Sequence, residues 1–527
     1  MSERLAKSAG LIGAATLASR VLGLVRDAVQ GYFFGTGLEN DAFVVATRIP
    51  TLLRDLFAEG AMSAAFVPTV SRYLKQQGKA AAWRLGSQVV NGLLLVTGVL
   101  VVLGIVFAQP LVARYAEGYA AYPGKLELTI SLTRINMPFL LLVAVAAAYM
   151  GMLNALRRFF VPAMSPALFN VIFIGCTVIL VPIFRRLEIN PVMALSAGML
   201  LGGVGQIVAQ WPLLRREGYR HEWVLNFRDP SLREVLILMG PGMLGVAAAQ
   251  INLFVNTSLA TSQAAAVSAL QYAFRLMYMP IGIFGVSVAT AAIPDLARHA
   301  ADEAHHEMRT TLSWGLRLML MLSVPATVGL MVLAPSVVEL LYQRGNFNAT
   351  STLLTAQALL FYAPGIIGYS IVKIAAPSFY SLKDAKTPVI VGVISVLTNV
   401  VLNLTLNSVM GLRGLALGTA IAANVNAVLL LVLLSRRIGG IDAARVTRAF
   451  LKISIASVVM GVVAYYADLG LHALLPGSVG GMLILSRALR VIGAIGAGLG
   501  TLVVAAWALR IEEFHQALRR VLSRVGI

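Results

Sequence analysis

The sequence predicts an all-α, polytopic membrane protein with about fourteen transmembrane helices. Of its 527 residues, 58% are hydrophobic and only 12% are charged, which is about half the charged fraction of a soluble domain. The apolar residues fall in runs of roughly 18 to 28, each long enough to cross a hydrocarbon layer of about 30 Å. We therefore expect no separately folded soluble domain.

Glycine and proline bound many of the apolar runs and divide them into fourteen predicted spans. The first run is too long for a signal peptide and contains Arg20 and Arg26, so we expect it to remain as the first helix. The predicted ranges are 8–35, 41–74, 84–112, 126–155, 159–184, 190–214, 232–261, 264–297, 310–341, 350–381, 387–408, 412–435, 446–470 and 485–509.

The positions of lysine and arginine predict the orientation in the membrane. Of the 42, the N-terminus, the even-numbered loops and the tail hold 26, the opposite side holds 8, and 8 fall inside predicted spans. Cytoplasmic loops are enriched in basic residues, so both termini are expected in the cytoplasm and the number of spans should be even. A net charge of +19 distributed in this way indicates orientation and does not indicate nucleic-acid binding.

The chain also repeats itself at a distance of 226 residues. This offset covers six helices, an even number, so the two halves should have the same orientation and meet at a cavity near the midplane. Such an architecture suits alternating access by rocking lobes. Pro68, Arg72, Pro138 and Pro162 recur as Pro294, Arg298, Pro364 and Pro388.

The repeat predicts the organisation of the whole chain. Two six-helix lobes are expected, followed by two additional helices that fall outside the repeat. With one cysteine and no phosphate-binding loop, the sequence carries neither a disulfide framework nor an ATP motor. The predicted parts are a first lobe at 1–216, a basic interfacial linker at 217–231, a second lobe at 232–436, two further helices at 437–510 and a cytoplasmic amphipathic tail at 511–527.

Charged residues inside the spans are candidate functional residues, because an ionised side chain at mid-bilayer costs at least about 2.5–3.5 kcal/mol. Arg20 and Asp27 are seven residues apart, and Arg48 has the same spacing to both Asp41 and Asp55. This spacing places each pair on one helix face. For the three aspartates, structural ion pairs and cavity roles stay equally open.

Arginines outnumber the acids available to neutralise them. Eight bases fall within the spans against Asp27, Asp41, Asp55 and Glu59, a surplus of about four positive charges. Guanidinium groups suit phosphate oxygens, and one diphosphate can engage two or three of them. An anion site is therefore favoured for Arg20, Arg26, Arg54 and Arg275.

Metal and catalytic sites are weakly indicated. Asn399, Asn403 and Thr419 offer oxygens to a sodium ion, but hydrogen bonding between helices is the favoured interpretation. No clustered aspartate motif for a metal-dependent enzyme occurs. We expect a protein that is not an enzyme, has no catalytic residues and no cofactor, and leaves coupling to Na⁺ or H⁺ open.

Several stretches resemble the MurJ/MviN family of lipid II flippases, part of the multidrug/oligosaccharidyl-lipid/polysaccharide exporter superfamily. The similarity extends over essentially the whole chain, including the two helices beyond twelve. The stretches are SRVLGLVRD (Ser19–Asp27), DAF (Asp41–Phe43), AEGAMSAAFVP (Ala58–Pro68), GPGMLGVAAAQIN (Gly240–Asn252), RGNF (Arg344–Phe347) and KIAAPSFYSLKDAKTP (Lys373–Pro388).

The resemblance implies a V-shaped, two-lobe fold that moves lipid II from the cytoplasmic to the periplasmic leaflet of the bacterial inner membrane. It implies that the last two helices hold the polyprenyl tail and that membrane lipids and cell-wall synthesis proteins are partners. It implies headgroup binding by Arg20, Arg26, Arg54 and Arg275, with supporting cavity charges and gating at Asp27, Asp41, Arg48, Glu59 and Lys373.

Two departures from the family and two alternative functions accompany this expectation. Phe274 and Tyr278 stand where some relatives carry acids near the arginine, and Asn403 stands nearest to an aspartate that binds sodium in some relatives. A flippase for another polyprenyl-diphosphate oligosaccharide needs a similar anion site. A multidrug exporter of the same superfamily selects cations, which an arginine-lined cavity opposes.

Overall fold

A computed structural model describes residues 2–56, 65–226, 228–475 and 481–515. These residues form twenty α-helices, one 3₁₀ helix (Glu117–Ala121) and π-helical turns that include Ile281–Gly285. The α-helices are α1 (Ser2–Phe34), α2 (Leu38–Arg54), α3 (Val67–Gln76), α4 (Gly78–Val106), α5 (Ala108–Tyr115), α6 (Lys125–Asn136), α7 (Phe139–Ala155), α8 (Phe160–Arg186), α9 (Met193–Arg216), α10 (Pro230–Ala260), α11 (Ala266–Pro280), α12 (Val286–Ala301), α13 (His305–Val332), α14 (Ala334–Tyr342), α15 (Ala349–Tyr362), α16 (Gly365–Ser381), α17 (Lys386–Met410), α18 (Leu412–Ile438), α19 (Ala443–Leu474) and α20 (Gly481–Ala508).

The all-α, multi-pass class is confirmed. In the described residues, ten helices are long and apolar enough to cross a membrane, and an eleventh results if α15 and α16, bent by 47°, form one span. Helices occupy all fourteen predicted positions. The three that fall outside this set of eleven are α1, α2 with α3, and α10.

The chain divides into two compact units. The first contains residues 1–268 and the short segment 344–347, and the second contains residues 269–343 and 348–527. The first unit therefore includes α10, which the sequence assigns to the second lobe. The division into six-helix lobes at 1–216 and 232–436 stays a prediction.

The internal repeat is visible in the bounds of the helices. Both ends of α7 recur in α16 at a distance of 226 residues, and the starts of α5 and α8 recur at the same distance in α14 and α17. Pro138 and Pro364 both precede the first residue of their helix, with nearly equal backbone angles. A π-helical turn begins at residue 55 and again at residue 281. The offset of 226 residues is thus visible in the bounds of three pairs of helices.

The charges of the candidate site are not repeated. Residues 226 positions after Arg20, Arg26, Arg48 and Arg54 are Val246, Asn252, Phe274 and Pro280. The same fold therefore carries the arginine cluster in its first copy alone, on α1 and α2.

Candidate functional site

Arg26 is held by residues of its own helix and of α8. Its guanidinium donates to Asp27 Oδ1 from Nε at 3.1 Å and from Nη2 at 2.8 Å, and Nη1 donates to Asn170 Oδ1 at 3.3 Å. Its Cζ lies 5.6 Å from the centre of the Phe173 ring. Asn170 Nδ2 also donates to the Ser19 carbonyl oxygen at 3.2 Å, which fixes this face of α1 against α8.

Arg54 repeats this arrangement at the end of α2. Its Nε and Nη2 donate to Asp55 Oδ1 at 2.8 and 2.5 Å, and Asp55 Oδ2 accepts from Gln250 Nε2 at 2.8 Å. The guanidinium is only partly buried. Each of these two arginines thus uses the aspartate that directly follows it in sequence, and each keeps donors that a phosphate can engage.

Arg20 differs from both. Its side chain is exposed, and it forms no hydrogen bond or ion pair within the part of the chain that the structure describes. Arg48 lies half-buried on α2. Glu59 lies outside the described residues, so the structure gives no account of it.

Asp41 is part of a buried ion pair that the sequence did not indicate. Lys125 Nζ donates to Asp41 Oδ2 at 2.8 Å, and Asp41 Oδ1 accepts from the Ser268 backbone N–H at 2.9 Å and hydroxyl at 2.5 Å. The side chains of Asp41 and Lys125 are 0% and 2% exposed. The same Nζ lies 3.9 Å from the centre of the Tyr119 ring. Asp41 therefore has a structural role in this conformation.

The ion pairs that the sequence left open at a spacing of seven residues do not form in this structure. Asp41 binds Lys125 and Asp55 binds Arg54, so neither binds Arg48, and Asp27 binds Arg26 and not Arg20. Residues seven apart share a helix face but are separated by about 10.5 Å along its axis. That separation is too long for a direct contact.

These pairs set the charge balance of the segment from Arg20 to Asp55. It contains four arginines and four acids. Asp41 is neutralised by Lys125, and Glu39 lies within electrostatic range of Arg185. Asp27 and Asp55 bind Arg26 and Arg54. Arg20 forms no ion pair within the described residues, so no described acid balances its charge.

The second unit contributes Arg275 on α11 and Lys373 on α16. Arg275 is exposed and Lys373 is half-buried. On either side of Arg275, Phe274 and Tyr278 stack with ring centres 5.7 Å apart, and Tyr369 of α16 lies 6.4 Å from Tyr278. Phe274, Tyr278 and Tyr369 therefore form an aromatic cluster beside Arg275.

Arg317, one of the eight bases within the predicted spans, is neutralised by two acids that follow α20. Its Nη1 donates to Glu513 and, at 3.2 Å, to Glu512, which also accepts from Arg445 at 2.8 Å. The tail was predicted to be a basic amphipathic segment. The ion pairs of Glu512 and Glu513 with α13 were not predicted, because these residues lie far from α13 in the sequence.

Asn399, Asn403 and Thr419 bond to one another. Asn403 Nδ2 donates to Asn399 Oδ1 at 2.9 Å, and Asn399 Nδ2 donates to Thr419 Oγ1 at 3.3 Å, which joins α17 to α18. This is the hydrogen bonding between helices that the sequence favoured. Sodium binding at these residues stays a prediction.

The RGNF motif has a partner that the sequence did not reveal. Asn346 donates from its backbone N–H to the Tyr32 carbonyl oxygen at 2.8 Å and from its side chain to the Phe33 carbonyl oxygen at 2.6 Å. A Cβ on Gly35 would lie 2.4 Å from the Asn346 carbonyl oxygen, and one on Gly345 would lie 2.4 Å from the Tyr32 carbonyl oxygen. Both glycines also have positive φ, so both must be glycine.

Comparison with known proteins identifies the family. The sequence profile of the family described as lipid II flippase MurJ matches residues 31–483. This chain belongs to the MurJ family of lipid II flippases. A "Probable lipid II flippase MurJ" of Vibrio cholerae is 35% identical over 440 residues, covering 82% of this chain and 83% of the relative. A "Lipid II flippase MurJ" of Burkholderia cenocepacia is 35% identical over 427 residues, covering 80% of this chain and 82% of that protein.

Solved structures agree with this assignment. A lipid II flippase MurJ in an inward closed conformation aligns with a TM-score of 0.75 at 26% identity, covering 95% of this chain and 99% of that one. An inward-facing MATE-family multidrug resistance transporter aligns with a TM-score of 0.65 at 16% identity, covering 80% of this chain and 94% of that one. The MATE likeness shows a shared fold alone.

Proposed function

We propose that this chain moves lipid II from the cytoplasmic to the periplasmic leaflet of the bacterial inner membrane by alternating access. Membership of the MurJ family supports the substrate. The observation that carries the proposal is the cluster of arginines on α1 and α2, in which Arg20 is exposed without a described partner and Arg26 and Arg54 keep N–H donors beside their aspartates. Such donors suit the oxygens of a diphosphate.

The three arginines of α1 and α2 have different parts in binding. Arg20, exposed and without a described partner, makes the first contact with the diphosphate. Arg26 and Arg54 are aimed by their neighbouring aspartates and turn their remaining N–H donors to phosphate oxygens. Arg275 binds from the second repeat, with Lys373 in support. The lipid leaves chemically unchanged.

The membrane potential supplies the driving force in this proposal. One elementary charge crossing 100 mV changes the free energy by about 2.3 kcal/mol, so two negative charges leaving a negative interior gain about 4–5 kcal/mol. Sodium or proton coupling is not needed for export against a modest gradient. In this proposal both termini lie in the cytoplasm.

Reconstituted proteoliposomes test the proposal. Fluorescent lipid II should change leaflets faster when an imposed potential favours outward movement of anions, and slower when its sign is reversed. Arg20→Ala, Arg26→Ala, Arg54→Ala and Arg275→Ala should each reduce lipid II binding roughly 30-fold, about 2 kcal/mol for one charged hydrogen-bonding group. Arg114→Ala, an exposed arginine outside the site, is the control.

The same assay separates this function from its alternatives. Flipping that is indifferent to both sign and size of the potential would exclude the driving force. Equal transport of other polyprenyl-diphosphate oligosaccharides would broaden the substrate class, and transport of cationic drugs alone would overturn the proposal. Mass spectrometry of the recovered lipid checks that no bond has been made or broken. Affinity purification from cells tests the cell-wall synthesis proteins as partners.

A further inference from the structure

The linker that follows α9 is fixed to the side of α4. Asn91 Nδ2 donates to the carbonyl oxygens of Glu222 and Val224 at 2.8 and 2.9 Å, and Ser87 Oγ accepts from the Glu222 N–H at 3.2 Å. These bonds bracket Trp223, whose surface is nevertheless 81% exposed. A large indole is therefore held outward by a fixed backbone.

The depth of this attachment follows from the sequence of α4. Lys79 and Arg84 lie near the start of α4, and the continuous apolar run begins at Leu93. Leu225 of the linker reaches Gly92, where an added Cβ would lie 3.8 Å from its side chain. Trp223 thus lies where α4 changes from charged to apolar, the level that tryptophan prefers at a membrane surface.

A cavity of about 380 Å³ lies beside the linker at the end of α9. Arg215 and Arg216 line this cavity, and in the described part of the chain their guanidinium groups form no hydrogen bond or ion pair. Its volume is within the range of about 300–1,000 Å³ that is usual for small-ligand sites. The lining residues are Trp211, Pro212, Arg215 and Arg216.

The acid that follows these arginines does not neutralise them. Glu217 accepts from Lys79 at 3.1 Å and from Arg158 at 3.1 Å. The hydrogen bond from Lys79 is the main reason that the pKa of Glu217 lies below its usual value. Arg215 and Arg216 therefore present two positive charges to whatever enters the cavity.

Aromatic rings connect the cavity with the exposed indole. The Trp211 ring centre lies 6.0 Å from that of Tyr219, Tyr219 lies 6.4 Å from His221, and His221 lies 4.8 Å from Trp223. Because the linking Tyr219 is fully buried, this series fixes the position of Trp223 relative to the cavity from beneath the surface. We call residues 211–223 the linker platform.

We propose that the linker platform binds the headgroup of an anionic glycerophospholipid from the adjoining leaflet. Arg215 and Arg216 hold the phosphodiester, and Trp223 lies among the glycerol backbones and upper acyl chains. The cavity is open to the surface, so a phosphate and glycerol can contact it, whereas it cannot enclose a sugar–peptide headgroup. The chain as a whole thereby gains a lipid site separate from the arginines of α1 and α2.

Native mass spectrometry of the full chain with bound lipids tests this site. Arg215→Gln with Arg216→Gln should weaken phosphatidylglycerol binding roughly 30-fold, about fivefold for each basic residue, and should leave phosphatidylcholine binding unchanged. The matched control is Arg436→Gln with Arg437→Gln, an exposed arginine pair in the last turn of α18, a helix from the second repeat. This control should change phosphatidylglycerol affinity less than twofold.

A second measurement reads the position of Trp223. Brominated phosphatidylglycerol should quench the part of the tryptophan fluorescence that Trp223→Phe removes, and a full thermal transition for each variant establishes that it is folded. The proposal is overturned if both arginine pairs give the same loss, or if Trp223 is not quenched. It is also overturned if lipid II displaces phosphatidylglycerol from the wild-type site, because the platform then belongs to substrate entry.

Discussion

Replacing Lys125 by methionine should cost far more stability than its position at the first residue of α6 suggests. The substitution removes the partner of Asp41 and leaves this fully buried carboxyl group without an opposite charge. Breaking a buried pair on one side costs about 3–5 kcal/mol. The two hydrogen bonds from Ser268 remain on Asp41, whereas the contact of the ammonium with the Tyr119 ring is lost as well. We expect a decrease in the free energy of unfolding of about 4 kcal/mol.

The measurement is equilibrium unfolding of the purified protein by SDS, followed by circular dichroism. Lys79→Met is the control, because Lys79 also binds a carboxylate but its side chain is 57% exposed, and such pairs contribute less than about 1 kcal/mol. The double variant Asp41→Asn with Lys125→Met should recover at least about 2 kcal/mol, since two buried charges disappear together.

One result would refute this reasoning. If Lys125→Met destabilises the protein no more than Lys79→Met does, the burial of the Asp41–Lys125 pair contributes nothing to stability. An additive double variant would lead to the same conclusion, because the two side chains would then act independently.

Three further predictions concern the chain end, the RGNF turn and the linker. Glu513→Gln should lower the free energy of unfolding by about 3 kcal/mol because it removes the buried carboxylate that binds Arg317 of α13. Glu512→Gln should lower it by less than about 1 kcal/mol because Glu512 is 53% exposed. Equal losses would contradict this assignment. Gly345→Ala should cost several kcal/mol more than Gly78→Ala, since both have positive φ but only the first Cβ meets an atom within 4 Å; similar melting temperatures would disprove this. Burial lowers the pKa of His221 from its usual 6.5, so the unfolded chain binds more protons and stability should fall as the pH drops below about 6.5; His221→Gln should remove that slope.

Local features of the sequence were sufficient for the helices and the repeat. A run of apolar residues forms a helix in a membrane whatever surrounds it, because its backbone groups have no other partners. The prolines were equally informative: Pro138 and Pro364 precede helices because proline suits the first turn and is costly inside a helix. Other prolines do not mark an end, since α2 continues through Pro50 and α8 continues through Pro166 and Pro182.

The candidate site was only half accessible to sequence reasoning. Arg20, Arg26 and Arg54 could be found because a charge within an apolar run is conspicuous on its own. The carboxylates and amides that bind these arginines could not be predicted. The spacing rule applies to residues one or two helical turns apart. It does not predict a bond between adjacent residues, such as the one from the Arg26 guanidinium to the Asp27 carboxylate.

The amino-acid sequence by itself determined the membrane class, the helices, the twofold repeat and the presence of surplus arginines, because each depends on residues close together in the chain. Only the tertiary structure decided which charges remain uncompensated. Lys125 lies 84 residues from Asp41, and Glu513 lies 196 residues from Arg317. An ion pair depends on the distance between two atoms, and that distance exists only after helices far apart in the chain have packed together.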